Sequence, residues 1–259
     1  MRVITTLGLM VLPTAAMAAD LPMKAPPAPA PVYSWTGCYF GGGGGYGMWN
    51  QDITALETIS PVFAASVTTT GGGRGGFGTV QVGCDYQFSG SNWVIGAFAD
   101  WDFGGINGTV SIPGFDVVTR EHQKWSWAVG GRLGYAVMPN FLVYVSGGYT
   151  EAHFNASEVA EAFDGDPLGF HVPSHTYTGW FIGTGYEYGL QQFVQWWPGL
   201  FWKTEYRWSE FRSTTLPFVD DVSGFVFNDG IHSRKVEQAI RSELVWRFNW
   251  GGGPVRASY

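Results

Sequence analysis

From residue 35 onward the chain reads in twos. In 236–248 (VEQAIRSELVWRF) the even positions carry Val236, Gln238, Ile240, Ser242, Leu244, Trp246 and Phe248. The odd positions carry Glu237, Ala239, Arg241, Glu243, Val245 and Arg247. Successive side chains of a strand point to opposite faces, so this split puts apolar bulk on one face and charge on the other. Seven earlier segments share the period: 35–49, 78–88 (GTVQVGCDYQF), 92–101 (NWVIGAFADW), 124–137 (KWSWAVGGRLGYAV), 141–150 (FLVYVSGGYT), 175–188 (HTYTGWFIGTGYEY) and 200–209 (LFWKTEYRWS). Eight strands are therefore expected.

Their connections alternate in length. Those at 89–91, 138–140 and 189–199 are short or moderate, whereas 50–77, 102–123, 151–174 and 210–234 are long and polar. Short turns on one rim and long connections on the other predict an all-β, eight-stranded antiparallel transmembrane β-barrel with short periplasmic turns and long extracellular loops. The apolar faces then look outward, with Val80, Val82, Tyr86 and Phe88 on one strand and Leu133 and Tyr135 on another. Aromatic residues near strand ends are expected as interfacial girdles: Trp93, Trp101, Trp125, Trp127, Trp202, Trp208, Trp246 and Phe248. A soluble barrel of the lipocalin kind would reverse the faces and coat its exterior with charge. The asymmetry of the connections favours polar inside and lipid outside.

Composition fits the same picture. Of 259 residues only 14% are charged, 17% are aromatic, 13 are Trp and 38 are Gly, and the net charge is −7. Such a chain is neither disordered nor a helical bundle, and its acidic balance offers no footprint for nucleic acid. Residues 1–18 read as a secretory leader: Arg2, a largely apolar stretch over 3–12, and Ala16-Met17-Ala18 before cleavage between Ala18 and Ala19. Loss of Arg2 takes the net charge from −7 to −8. Residues 19–34 form a proline-rich periplasmic arm, 35–250 the barrel and 251–259 a tail. No later apolar run reaches the ~18 residues of a spanning helix.

WTGCYFGGGGGYG near the front, SNWVIGAFADWDF, KWSWAVGGRLGY, YVSGGY, GLFWKTEYRWS and RSELVWRFNW together resemble the porin-like outer-membrane proteins of alphaproteobacteria. This family includes the rhizobial and Brucella-type major surface proteins and belongs to the OmpA-type eight-stranded barrels. The resemblance covers nearly the whole mature chain. It implies an outer-membrane location among lipid and lipopolysaccharide, insertion by the barrel-assembly machinery, and a structural, surface-exposed role. Cys38 and Cys84 depart from it by standing on the outer face where Phe or Tyr is expected, and a tail follows Phe248.

The inward charges are the main candidate chemistry: Asp85, Arg132, Glu187, Lys203, Glu205, Arg207, Arg241, Glu243 and Arg247. Level strand ends at Leu200 and Phe248 place Glu205 beside Glu243 and Arg207 beside Arg241, with opposite charges meeting on the diagonals. Lys203 neighbours Glu187, and Arg132 reaches Asp85. Gly41, Gly43 and Gly45 leave volume for the arginines. An eight-stranded barrel encloses little more than its own side chains, so an ion-pair plug is expected. A low-conductance porin, gated by exchange of pairs, is the alternative. A second alternative is a binder of haem or a host factor through the long loops.

Other motifs carry less. His122, His153, His171, His175 and His232 fall in or beside the long connections, and no helix presents two imidazoles to a metal. Ser174 and His175 point to opposite faces of a strand, so no nucleophile system forms. Gly41–Gly45 and 71–76 neither precede a helix nor lead into Lys-Ser/Thr, which excludes a phosphate loop. No catalytic residue, cofactor or metal is expected, and the extracellular ligand is unknown. Cys38 and Cys84 lie in an oxidising compartment, but the loop between them hides their register, and both bonded and free states stay open.

Overall fold

A computed structural model describes residues 34–60, 63–112 and 116–248. The expected leader with its cleavage site at Ala18 and Ala19, residues 19–33 of the arm and the tail lie outside the described residues. Within them are β1 (Gly37–Ser60), β2 (Phe63–Gln87), β3 (Trp93–Ile112), β4 (Val117–Met138), β5 (Phe141–Phe154), β6 (Ser157–Glu161), β7 (Pro167–Val172), β8 (His175–Gly189), β9 (Leu200–Phe211), β10 (Thr214–Asp220) and β11 (Val226–Phe248). The order β1-β2-β3-β4-β5-β8-β9-β11 closes through antiparallel β1–β11 pairing into an eight-stranded ring.

The short connections share one rim. Gly90, at φ +71°, closes the β2–β3 turn, where the Phe88 amide donates to the Trp93 carbonyl at 3.1 Å. Only Pro139 and Asn140 separate β4 from β5. Closure on the other side of the ring depends on small residues. A Cβ on Gly45 would run into the Phe77 ring and lie 2.6 Å from the Ile240 carbonyl, so β1 lies against β11 with no room for a side chain there.

The strands continue well past this ring. β6 extends the pairing of β5 with β4, β7 continues β8, and β10 continues β9; the interruptions fall at 155–156, 173–174 and 212–213. Above those breaks β4–β6, β6–β7, β7–β10 and β10–β11 pairings complete a second closed ring with β1, β2 and β3. The long polar connections of the sequence are therefore strand hairpins for most of their length.

The alternation changes sense between the two levels. Below, Val80, Val82, Leu133, Val145 and Leu244 are exposed while charged residues are buried. Above, Ile106, Val110, Ile112, Phe154, Val159, Val172 and Ile231 fill the interior, and Asn107, Thr109 and Ser111 face out. The apolar-outside arrangement expected of the chain holds in the lower barrel only. An apolar exterior on the lower ring and a polar exterior on the upper are what lipid around the first and water around the second select.

Candidate functional site

The lower lumen is occupied by charge. The nine residues expected there all point inward, and Asp100 and Asp102 of β3 join them. Nearest the short-turn rim, Arg132 contacts Asp85 through Nη2 and through Nε at 2.8 Å, and Glu187 through Nη1 at 2.5 Å. Arg247 Nη2 lies 2.6 Å from Glu187 Oε2 and 2.7 Å from Asp85 Oδ2. Two guanidinium groups thus clamp two carboxylates. Tyr39 stacks near both, its ring centroid 4.6 Å from Arg132 and 4.7 Å from Arg247.

One layer higher, Lys203 Nζ donates to Gln81 Oε1 at 2.6 Å and stands 3.4 Å from Glu243 and 3.7 Å from Glu205. The Tyr144 hydroxyl donates to Glu205 at 3.0 Å. Above that, Arg207 forks onto Asp100 at 3.0 and 2.7 Å and reaches Glu205 at 2.8 Å. Arg241 bridges Asp102 at 3.0 Å and Asp100 at 3.2 Å. Gln123 then donates to Glu237 at 3.0 Å.

A buried charge is tolerated only when paired and hydrogen-bonded, and side chains from strands around the ring supply the pairs. Above the last of these layers Lys235, fully buried, donates to Glu121 and Gln51. Its ammonium sits 3.8 Å from the Phe154 ring centroid, 4.2 Å from Trp49 and 5.0 Å from Tyr177. This aromatic box joins the charged lumen to the apolar interior above it.

The register differs from that expected. Trp246, not Phe248, faces Leu200, so Arg241 lies opposite Glu205, Glu243 opposite Lys203 and Ala239 opposite Arg207. The expected like-charge neighbours, Glu205 with Glu243 and Arg207 with Arg241, do not occur. Strands of a closed barrel are staggered, and Phe248 runs on to pair with Cys38 of β1. Alternation puts Asp100 beside Val94 and Phe98 on the inner face of its segment, whose apolar outer face is the more prominent in the sequence. Asp102 stood beyond the expected strand end.

Cys38 and Cys84 face each other across β1 and β2, with Cα atoms 3.9 Å apart, and are disulfide-bonded. On the outer surface the expected girdle residues form two levels. Trp93 meets Tyr135 at 5.2 Å, and Trp246 and Phe248 flank Phe40 at 5.4 and 6.4 Å, with Trp202 beside Leu244. At the other level Trp101 stacks on Trp125 at 5.1 Å, Trp127 meets Tyr149 at 5.6 Å, and Trp208 meets Trp180 at 5.1 Å. Trp93 to Trp101 is eight residues, about 26 Å of strand; at the ~40° tilt of barrel strands this rises about 20 Å along the membrane normal, most of the ~25 Å apolar band of an outer-membrane barrel.

The histidines are dispersed. His122 pairs with Asn107 at 2.6 Å, His153 with Thr176 at 2.9 Å, His171 with Asp221 at 2.5 Å and His232 with Thr215 at 3.5 Å, while His175 packs on the Tyr177 ring. Among the described residues no three His, Cys, Asp or Glu side chains are placed to share a metal. In the β10–β11 turn the amide and hydroxyl of Ser223 donate to Asp220 and hold its carboxyl below the usual range.

The chain is similar to known outer-membrane proteins. It is 31% identical over 250 residues to the 31 kDa outer-membrane immunogenic protein of Brucella melitensis, covering 91% of this chain and 94% of that protein. It is 26% identical over 253 residues to the 25 kDa outer-membrane immunogenic protein of Brucella canis, covering 92% and 95%. The crystal structure of the outer membrane protease OmpT from Escherichia coli aligns with a TM-score of 0.46 at 9% identity, over 83% of this chain and 98% of that one. No family model matches the chain.

Proposed function

The chain belongs to the alphaproteobacterial family of Brucella-type outer-membrane immunogenic proteins, and on that premise we propose that it is a structural surface protein whose lumen is closed by its own ion pairs. Its place is the outer membrane, with the lower barrel in lipid and the long hairpins outside. The observation that carries the reading is the lumen stack, from Asp85–Arg132–Glu187–Arg247 up to Arg207–Asp100 and Arg241–Asp102. A permeating solute has to displace salt bridges at each level, and each is held by residues from different strands.

On this reading the protein adds to envelope integrity by occupying the membrane with a rigid, disulfide-pinned barrel, and it is not an enzyme. Residues 1–18 serve as the export leader, 19–34 as a periplasmic arm and 251–259 as a tail. Lipopolysaccharide is the partner of the outer girdle, and the barrel-assembly machinery acts on the chain at insertion. Proteoliposome swelling tests the closed lumen. Vesicles carrying the refolded chain should swell in small sugars no faster than empty vesicles. Swelling that tracks solute size instead establishes the low-conductance porin.

A further inference from the structure

The outward end of the upper ring holds a feature that the closed lumen does not use. A cavity of about 250 Å³ lies inside the hairpins, lined by Ile112, Val159, Leu168, Phe170, Phe218 and Phe227 together with Val117. These residues come from six strands, and the walls are hydrogen-bonded sheet. Further bonds between hairpins hold the mouth: the Ala162 amide donates to Asp116 O at 2.8 Å and the Asp221 amide to Gly169 O at 2.9 Å. The floor is the packed interior of Val110, Val172, Leu216 and Ile231. At the tips Phe163, Val222 and Phe225 are widely exposed.

A cup whose described lining is apolar is costly to leave facing water, at about 25 cal/mol per Å² of surface left wet. Among the described residues no side chain lining it donates or accepts a hydrogen bond, so polar ligands find nothing there to replace their water. The volume exceeds the ~150 Å³ of an engineered apolar cavity that takes benzene. One or two fused aromatic rings, or a short alkyl chain, fit it. The adjoining turns carry Asp116, Glu161, Asp164, Asp166, Asp220 and Asp221, with Arg120 as the nearby arginine. That balance disfavours an anionic headgroup.

We propose that this cup is a binding site for small uncharged apolar molecules, held at the cell surface and not passed through the barrel. The inference is independent of whether the lumen conducts. The test is equilibrium dialysis of naphthalene against the full chain refolded in lipid nanodiscs, with empty nanodiscs subtracting uptake by lipid. The expected result is one saturable naphthalene per chain, displaced by decan-1-ol at least tenfold better than by decanoate. Phe218→Asp, inside the cup, and Leu168→Asp, at its exposed edge, should each weaken binding tenfold or more. Heat-modifiable migration on gels shows that the barrel is formed, and the edge variant covers the case in which Phe218→Asp disturbs the hairpin. No saturable excess over empty nanodiscs overturns the proposal. So does binding that both variants leave unchanged, which puts naphthalene elsewhere, or equal displacement by decanoate.

Discussion

Arg132 is the sharpest test of whether the lumen is dry. Its side chain is 1% exposed and serves both Asp85 and Glu187, so Arg132→Met keeps most of the volume and removes the charge. The four-residue cluster of Asp85, Glu187, Arg132 and Arg247 carries a formal charge of zero, and the variant leaves one guanidinium for two carboxylates. Breaking a buried pair by deleting one partner costs about 3–5 kcal/mol, because the stranded charge keeps its desolvation penalty. Adding Glu187→Gln restores neutrality, since Asp85 then faces Arg247 alone at 2.7 Å. The double variant should regain about half of the loss or more. Urea unfolding in lipid vesicles, followed by tryptophan fluorescence and by gel migration, measures both. A loss below about 1 kcal/mol in the single variant would mean that water reaches these groups as it reaches surface pairs, and the dry-plug account would be wrong.

Three further outcomes follow from the geometry. Gly45→Val puts atoms against the Ile240 carbonyl and the Phe77 ring, so the compact, heat-modifiable band should be lost or reduced; overpacking of this kind costs about 1–3 kcal/mol, and an unchanged unfolding curve would contradict the tight β1–β11 seam. Reducing the Cys38–Cys84 bond, which spans a separation of 46 residues, should lower stability by up to about 4 kcal/mol on the chain-entropy model; alkylation of unreduced protein should add no mass. Val145→Arg, at the middle of the lipid face, should cost about 2–4 kcal/mol, whereas Val137→Arg near the rim should cost about 0–1; equal costs at the two sites would displace the membrane from the belt assigned here.

Much of this was legible because a barrel wall enforces the period of two. The split of 236–248 put Arg241, Glu243 and Arg247 on the face that turned out to be buried, and the girdle tryptophans lie on the opposite face. Register was not legible, since side-chain alternation repeats every two residues and a slip of two leaves it unchanged. Strand stagger made that choice and set Glu205 against Arg241. The upper ring is illegible in the sequence for a different reason. Residues 68–76 (TTTGGGRGG) and 106–112 (INGTVSI) face water on one side, so their composition is that of loops. The inward Ile106, Val110 and Ile112 show the strand only once the change of sense above the girdle is known. The cup at the outer end belongs to that same change, and no single segment contains it.

On the proposed reading, paired charges close the lumen. Single-channel recording of the refolded wild-type chain in a planar bilayer tests it most directly. A lumen closed by ion pairs leaves the bilayer silent at moderate voltage in molar salt, in preparations whose gel migration shows folded barrel. Reproducible unit conductance from the wild-type chain would contradict it.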